Sequence, residues 1–205
     1  MQKFTTLSAA AAPLMRHNID TDVIINVDRL MTAARTEMGL YAFEVWRYLS
    51  KGVENPKFEL NRPGFRDAKI LIAGRNFGCG SSREMAVWAV FGMGFRCVIA
   101  PSFGDIFANN CAKNGLLAIT LSAVLIERLV NAAEKAAGAM HFTVDLENCT
   151  ITLPNGEAIP FEIAAGDREA LLCGLDEIGR TLQLAGDIAA FQARDRERRP
   201  WVYGR

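Results

Sequence analysis

The chain has 205 residues, half of them hydrophobic, with 23 Lys and Arg against 23 Asp and Glu and a sequence pI near 6.7. That length and apolar content suit one substantial domain with its own core. The even charge balance gives no footing for nucleic acid or an anionic membrane as partner, and no apolar run approaches the roughly 20 residues that span a bilayer.

The start, Met1 to Pro13, contains Ala9 to Ala12 but no long apolar core. It is a poor signal peptide, so a cytoplasmic location is the expectation. It leads into Asn18-Ile19-Asp20-Thr21-Asp22-Val23-Ile24-Ile25. Asp and Thr clusters of this kind make turns by bonding their side chains to nearby backbone. Asp28 to Tyr48 is mixed, with a helix predicted over Leu40–Leu49. Lys51 to Phe65 is rich in Pro, Gly and Asn and reads as a loop.

Ile70–Ala73 is an apolar run, so Lys69–Ala73 reads as a strand buried on both faces. It runs through Gly74-Arg75-Asn76-Phe77-Gly78-Cys79-Gly80 into Ser81-Ser82-Arg83-Glu84 and a helix over Met85–Met93. Strand, glycine loop and helix N-terminus together suit an anion, because free backbone N–H groups and the helix dipole both face it. Three readings of this stretch stand side by side. Ser81 and Glu84 have the spacing of a capping box. Gly78-Cys79-Gly80 begins a dinucleotide fingerprint, but Arg83 stands where the third glycine belongs, and no Gly-Lys-Ser/Thr of a Walker loop follows. The third reading is a carboxylate site, with two hydroxyls and the planar fork of Arg83 converging on a small acid.

Beyond it the pattern is regular. Cys97–Ala100 is a second strand, stopped by Pro101, and Ser102 is positioned to cap a helix to about Lys113. Leu116–Leu121 is a third strand, and Ser122 opens a helix through Ala137. Such alternation predicts an α/β fold with a mainly parallel central sheet flanked by helices. From His141 the period changes, and residues 141–163 read as a small antiparallel extension at one edge, with Asn155-Gly156 as a hairpin turn. Ala165–Leu175 and Asp187–Arg194 are helical by pattern. The arginine-rich tail, 194–205, reads as a solvated end, with a partner-docking arm as the other option.

Cys79, Cys97, Cys111, Cys149 and Cys173 are widely spaced, no C-x-x-C occurs, and only His17 and His141 supply imidazole. A disulfide framework or a self-contained zinc or iron–sulfur site is not expected, so no metal ligands are assigned. Cys79 reads as a small residue filling a tight turn.

Gly78-Cys79-Gly80-Ser81-Ser82-Arg83-Glu84, followed by Val98-Ile99-Ala100-Pro101-Ser102-Phe103-Gly104-Asp105-Ile106-Phe107 and Asn109-Asn110, resembles the small subunit of 3-isopropylmalate dehydratase. That subunit is similar to the swivelling C-terminal domain of aconitase. Asn18–Ile25, Arg35-Thr36, Trp46-Arg47 and Ile178-Gly179-Arg180-Thr181-Leu182 fit the same family in the expected order. The resemblance implies a single swivelling domain over 1–205. It implies a hydro-lyase that moves a hydroxyl between neighbouring carbons of 2-isopropylmalate, by dehydration and rehydration, in leucine biosynthesis. It implies no cofactor on this chain and a [4Fe–4S] cluster on a separate large subunit, joined in a heterodimer or larger assembly. By the same resemblance Ser81 is the catalytic base, acting as an alkoxide, and Asp22 an active-site aspartate. Gly80, Ser82 and Arg83 hold a carboxylate of a small hydroxy-diacid, and Arg35 the second one. The family pattern has proline where Asn26 stands and commonly an aromatic residue near Arg29. Those departures keep open a related diacid such as citraconate, homoaconitate or a dimethylmalate. A stand-alone small-acid binding domain is the reading from another class.

Overall fold

The computed structural model of the chain describes residues 1–50 and 52–203. Lys51 of the expected loop and Gly204 and Arg205 of the expected tail lie outside the described residues. In chain order the elements are β1 (Thr6–Ala9), β2 (Ala11–Leu14), α1 (Thr21–Ile24), α2 (Val27–Thr32), α3 (Glu44–Arg47), β3 (Tyr48–Ser50), β4 (Val53–Glu54) and β5 (Ile70–Ala73). Then come α4 (Glu84–Gly92), β6 (Cys97–Ala100), α5 (Asp105–Lys113), β7 (Leu117–Thr120) and α6 (Ala123–Ala136). The chain continues through β8 (Phe142–Asp145), β9 (Thr150–Thr152), β10 (Ala158–Pro160), α7 (Ala165–Cys173), α8 (Glu177–Gln183) and α9 (Ala185–Arg198).

The fold is α/β, as the alternation predicts. A parallel sheet runs in the order β2-β5-β6-β7. Its strands are apolar on both faces because both faces are covered. Ala12, Leu14, Leu71, Ala73, Val98 and Ala100 enter one core with α1 and α4. Ala11, Ile70, Ile72, Cys97, Ile99, Leu117 and Ile119 enter the other with α6. That second core also takes Phe142, Val144, Ile151 and Ile159 from an antiparallel sheet ordered β1-β8-β9-β10. The antiparallel part therefore shares a core with a face of the parallel sheet and is not confined to one edge. It also draws its first strand from the N-terminus, where Thr6 to Ala9 pair with Asp145 to Phe142.

Several expectations are corrected. Ala11–Leu14 carries no strand signal, yet it forms the edge of the parallel sheet and is wholly buried. Alanine has little β-preference of its own, and Pro13 is tolerated because an edge strand leaves one row of N–H positions unpaired. The helix predicted over Leu40–Leu49 is broken into a 3-10 turn over Arg35–Leu40, the short α3, and β3. Buried Phe43 sits between them in the left-handed region at φ 54°, which no helix interior accepts. Gly39 backs onto α4 so closely that an added Cβ would lie 2.1 Å from the Gly92 carbonyl carbon. Ser102 does not cap α5. Gly104 occupies that position, and the Ser102 hydroxyl instead accepts from the Asn76 N–H at 2.9 Å.

The described part of the tail, 194–203, is solvated as expected, exposed except at Asp195 and Tyr203, yet it carries regular structure. It continues α9 to Arg198 and then makes a 3-10 turn over Pro200–Val202. Asp195 accepts from Arg199 Nε at 2.7 Å and from the Tyr203 hydroxyl at 2.9 Å. These bonds, the Arg199 one foremost, hold its carboxyl below the usual carboxylate range. The unexpected α8, the longer α9 and the 3-10 turn after it keep Ile178, Leu182, Phe191 and Trp201 exposed. Among the described residues no helix is long and apolar enough to cross a membrane.

Candidate active site

Three loops meet at the carboxyl ends of β2, β5 and β6, where open parallel sheets collect ligands. They are tied by backbone rather than by side-chain packing alone. The Asn18 N–H donates to Arg75 O at 2.9 Å, Gly78 N–H to Ile19 O at 2.8 Å, and Phe77 N–H to Ser102 O at 3.1 Å. Asp20 and Cys79 form a parallel bridge, as do Phe77 and Phe103. Phe77 then packs edge-on against Phe107 of α5, with ring centroids 5.3 Å apart.

The loop after β5 needs two glycines with positive φ. Gly78 has φ 72°, and a Cβ there would lie 2.3 Å from the Phe107 ring. Gly80 has φ 93° and faces Asp20 and Thr21, so that an added Cβ would lie 3.4 Å from Asp20 Cβ. Between them Cys79 is half-buried, and burial first, then the Asp20 carboxylate, pushes its thiol up and away from a reactive thiolate. This agrees with a residue that fills a turn.

The N-terminal Asp20-Thr21-Asp22 cluster does make a local turn. Asp20 is the N-cap of α1, its carboxylate accepting from the Val23 N–H at 2.8 Å. Capping by Asp20 turns Asp22 to the outer face, where it is ion-paired with Arg83 through Arg83 Nη1. The Arg83 side chain is only 19% exposed and that of Asp22 53%. The cation is thus held in the wall while its counter-ion stays open to exchange. Thr21 lies buried beneath them and its hydroxyl donates to the Ser81 carbonyl at 3.2 Å.

Ser81 and Ser82 are exposed. The capping box read into this stretch is not formed. The N-cap of α4 is Arg83, without a side-chain cap bond. The Glu84 carboxylate turns away and accepts from Asn114 Nδ2 at 2.8 Å. The Ala86 N–H donates to the Arg83 carbonyl at 3.2 Å, while the Glu84 and Met85 N–H groups at the start of the nine-residue α4 stay available beside two free-standing hydroxyls.

The structure brings Gly80, Ser81, Ser82, Arg83 and Asp22 together and sets Arg35 apart. Arg35 stacks over the Trp88 ring at 4.5 Å and donates to Asn114 Oδ1 at 3.0 Å. It lines a hollow of about 450 Å³ with Thr36, Trp88, Phe91, Gly92 and Asn114. Asn114 links it to the start of α4, accepting also from Trp88 Nε1 and donating to Glu84. Sequence reasoning missed Asn114 and Thr21 as organisers. For Thr21 the signal was present, since it stands between the two aspartates. Arg29, in the stretch that departs from the family pattern, is paired with Glu44 at 2.5 Å and stacked on Tyr41 at 4.3 Å.

Among the described residues no group of three His, Cys, Asp or Glu side chains could hold a metal ion. The cysteines do not fit an iron–sulfur cluster. Cys97 and Cys111 are buried in the two cores, where desolvation raises both thiols.

Comparison with known proteins agrees with this architecture. The family model for the aconitase C-terminal domain matches residues 1–124, and a model described as LeuD_N matches 127–165. The model for the C-terminal domain of the 3-isopropylmalate dehydratase small subunit matches 177–205. The 3-isopropylmalate dehydratase small subunit of Rhodospirillum centenum is 52% identical over 204 residues, covering 100% of both chains. That of Dinoroseobacter shibae is 51% identical, over 98% of this chain and 100% of its own. The crystal structure of a 3-isopropylmalate dehydratase chain from Methanocaldococcus jannaschii superposes with a TM-score of 0.64 at 25% identity, over 91% of this chain and 99% of that one. With half of its residues shared along its whole length, and the aconitase C-terminal model covering the loops that meet at the site, the chain belongs to the family of 3-isopropylmalate dehydratase small subunits.

Proposed function

We propose that this chain supplies the base and a carboxylate clamp to a cytoplasmic 3-isopropylmalate dehydratase, acting with a large subunit that holds a [4Fe–4S] cluster. The observation that carries the reading is the grouping of exposed Ser81 and Ser82 with the Asp22–Arg83 pair at the open N-terminus of α4. A partner surface laid over this shelf completes an enclosed site.

A free serine hydroxyl is far too weak a base at neutral pH. Here the free N–H groups and dipole of α4, with the guanidinium of Arg83, stabilise its alkoxide. Ser81 Oγ takes the proton from the carbon beside a substrate carboxylate, and the electron pair of that C–H bond becomes the new C=C as the hydroxyl leaves to the Lewis acid that the large subunit's cluster would supply. Rehydration returns the proton to one carbon and the hydroxyl to its neighbour. Arg83 grips the carboxylate with its two-pronged fork, taking the place Asp22 fills in the isolated chain. Gly80 lets the acid approach the backbone, and Ser82 donates to it. In this reading Arg35 reaches the second carboxylate only by leaving Trp88 and Asn114.

Two expected results test the proposal. The purified chain alone binds no stoichiometric iron or labile sulfide and turns over no hydroxy-diacid. Mixed with a cluster-loaded large subunit, it interconverts 2- and 3-isopropylmalate, with citraconate, homoaconitate and dimethylmalate as competing substrates. Activity or stoichiometric iron in the isolated chain would refute it. Arg83→Lys keeps the charge but loses the fork, so kcat/KM falls roughly 10- to 100-fold, chiefly through KM, while the melting temperature holds. Steady-state kinetics on the assembled enzyme check this, and an unchanged KM would remove Arg83 from the clamp.

A further inference from the structure

We propose that Thr21 is a positioning residue for Ser81. Its buried hydroxyl sets where the Ser81 alkoxide stands. The inference rests on the catalytic reading of Ser81 above.

Three polar or charged residues are buried among the described ones: Thr21, Asn61 and Asp195. Asn61 is used by the Arg47 and Asn55 carbonyls, each 2.8 Å from its Nδ2. Asp195 is used by Arg199 and Tyr203. Thr21, 1% exposed, lies under the candidate site. Its N–H donates to the Cys79 carbonyl at 2.9 Å and its Oγ1 donates to the Ser81 carbonyl at 3.2 Å. The two bonds bracket Gly80, a flexible residue with φ 93°; the Ser81 carbonyl also accepts from the Arg83 N–H at 2.8 Å within its own turn, so the Thr21 hydroxyl is the bond that ties that turn to the neighbouring segment. Asp20 and Asp22 on either side meet Cys79 and Arg83. The segment 20–22 thus runs along the loop 79–83 as a short rail, and the Thr21 hydroxyl is the tether nearest the base. A misplacement of about 1 Å at a reacting group can cost on the order of a hundredfold in rate, so a tether here bears on turnover.

Packing alone predicts the opposite ranking of two substitutions. Thr21→Val keeps the shape and loses the hydroxyl, while Thr21→Ser keeps the hydroxyl and loses a buried methyl. If Thr21 only fills space, Val is the mild change and Ser the harmful one. If it positions Ser81, Val lowers kcat about tenfold or more with KM within about twofold, and Ser recovers most of that loss. The assay uses the complex with the large subunit. Amide hydrogen exchange over residues 80–83 of the isolated small subunit gives a second readout, faster in Val than in wild type and near wild type in Ser. A Val variant with wild-type kcat, or a Ser variant as impaired as Val, would overturn the proposal. Absence of turnover in the wild-type complex would instead overturn the catalytic reading, and the exchange experiment then still decides whether the hydroxyl holds the loop.

Discussion

Ser81→Ala lowers turnover of the assembled enzyme by at least about a hundredfold while leaving melting and partner binding nearly unchanged. An N-cap serine would behave otherwise, its loss costing about 0.5–2 kcal/mol of stability and little activity. The structure argues against the cap. The N-cap of α4 is Arg83, Glu84 is turned to Asn114, and Ser81 is exposed. The bond that ties Ser81 to the rest of the site uses its backbone carbonyl, which alanine keeps. The variant therefore loses the hydroxyl and nothing that holds the loop. Kinetics on the reconstituted complex, together with a thermal melt of the isolated chain, check this. Near-normal turnover in a folded, partner-bound variant would remove Ser81 as the base.

Gly78→Ala destabilises the protein by about 2–5 kcal/mol, the sum of a left-handed backbone without glycine and an overpacked core. Gly78 has φ 72°, and the new Cβ would lie 2.3 Å from the Phe107 ring. Phe107 is 2% exposed and braced by Phe77 and Phe103, so it has no free volume to yield into. For a chain of this size the loss lowers the melting temperature by roughly 5–15 °C. A shift of less than about 2 °C would mean that α5 can move away from the loop. Gly80→Ala is the milder neighbour, because its nearest contact is 3.4 Å and only the backbone strain remains.

The amino-acid sequence by itself determined the parallel core and the loop that carries the chemistry. Ile70–Ala73 and Cys97–Ala100 are short apolar runs rich in β-branched residues and closed by Gly74 and Pro101, and those flanks and that length mark them as buried strands. Asn155-Gly156 specified a turn, and Gly78 and Gly80 a backbone that only glycine adopts easily, because these are local preferences of single residues. The family was legible too, since Gly80-Ser81-Ser82-Arg83 and the Asn18–Ile25 segment each occur intact. Only the tertiary structure decided the rest. The strand Ala11–Leu14 exists because β5 offers it a partner, not because alanine prefers extended backbone. The helix expected over Leu40–Leu49 breaks at Phe43, buried at φ 54° with its N–H donating to the Ile24 carbonyl, a residue far away along the chain. Ser81 reads as a cap until Asn114 is seen to take Glu84, and no local pattern announces that Arg35 rests on Trp88 and Asn114 in the isolated chain. Each of these outcomes turns on a long-range partner, and a local pattern carries no record of which residue that partner will be.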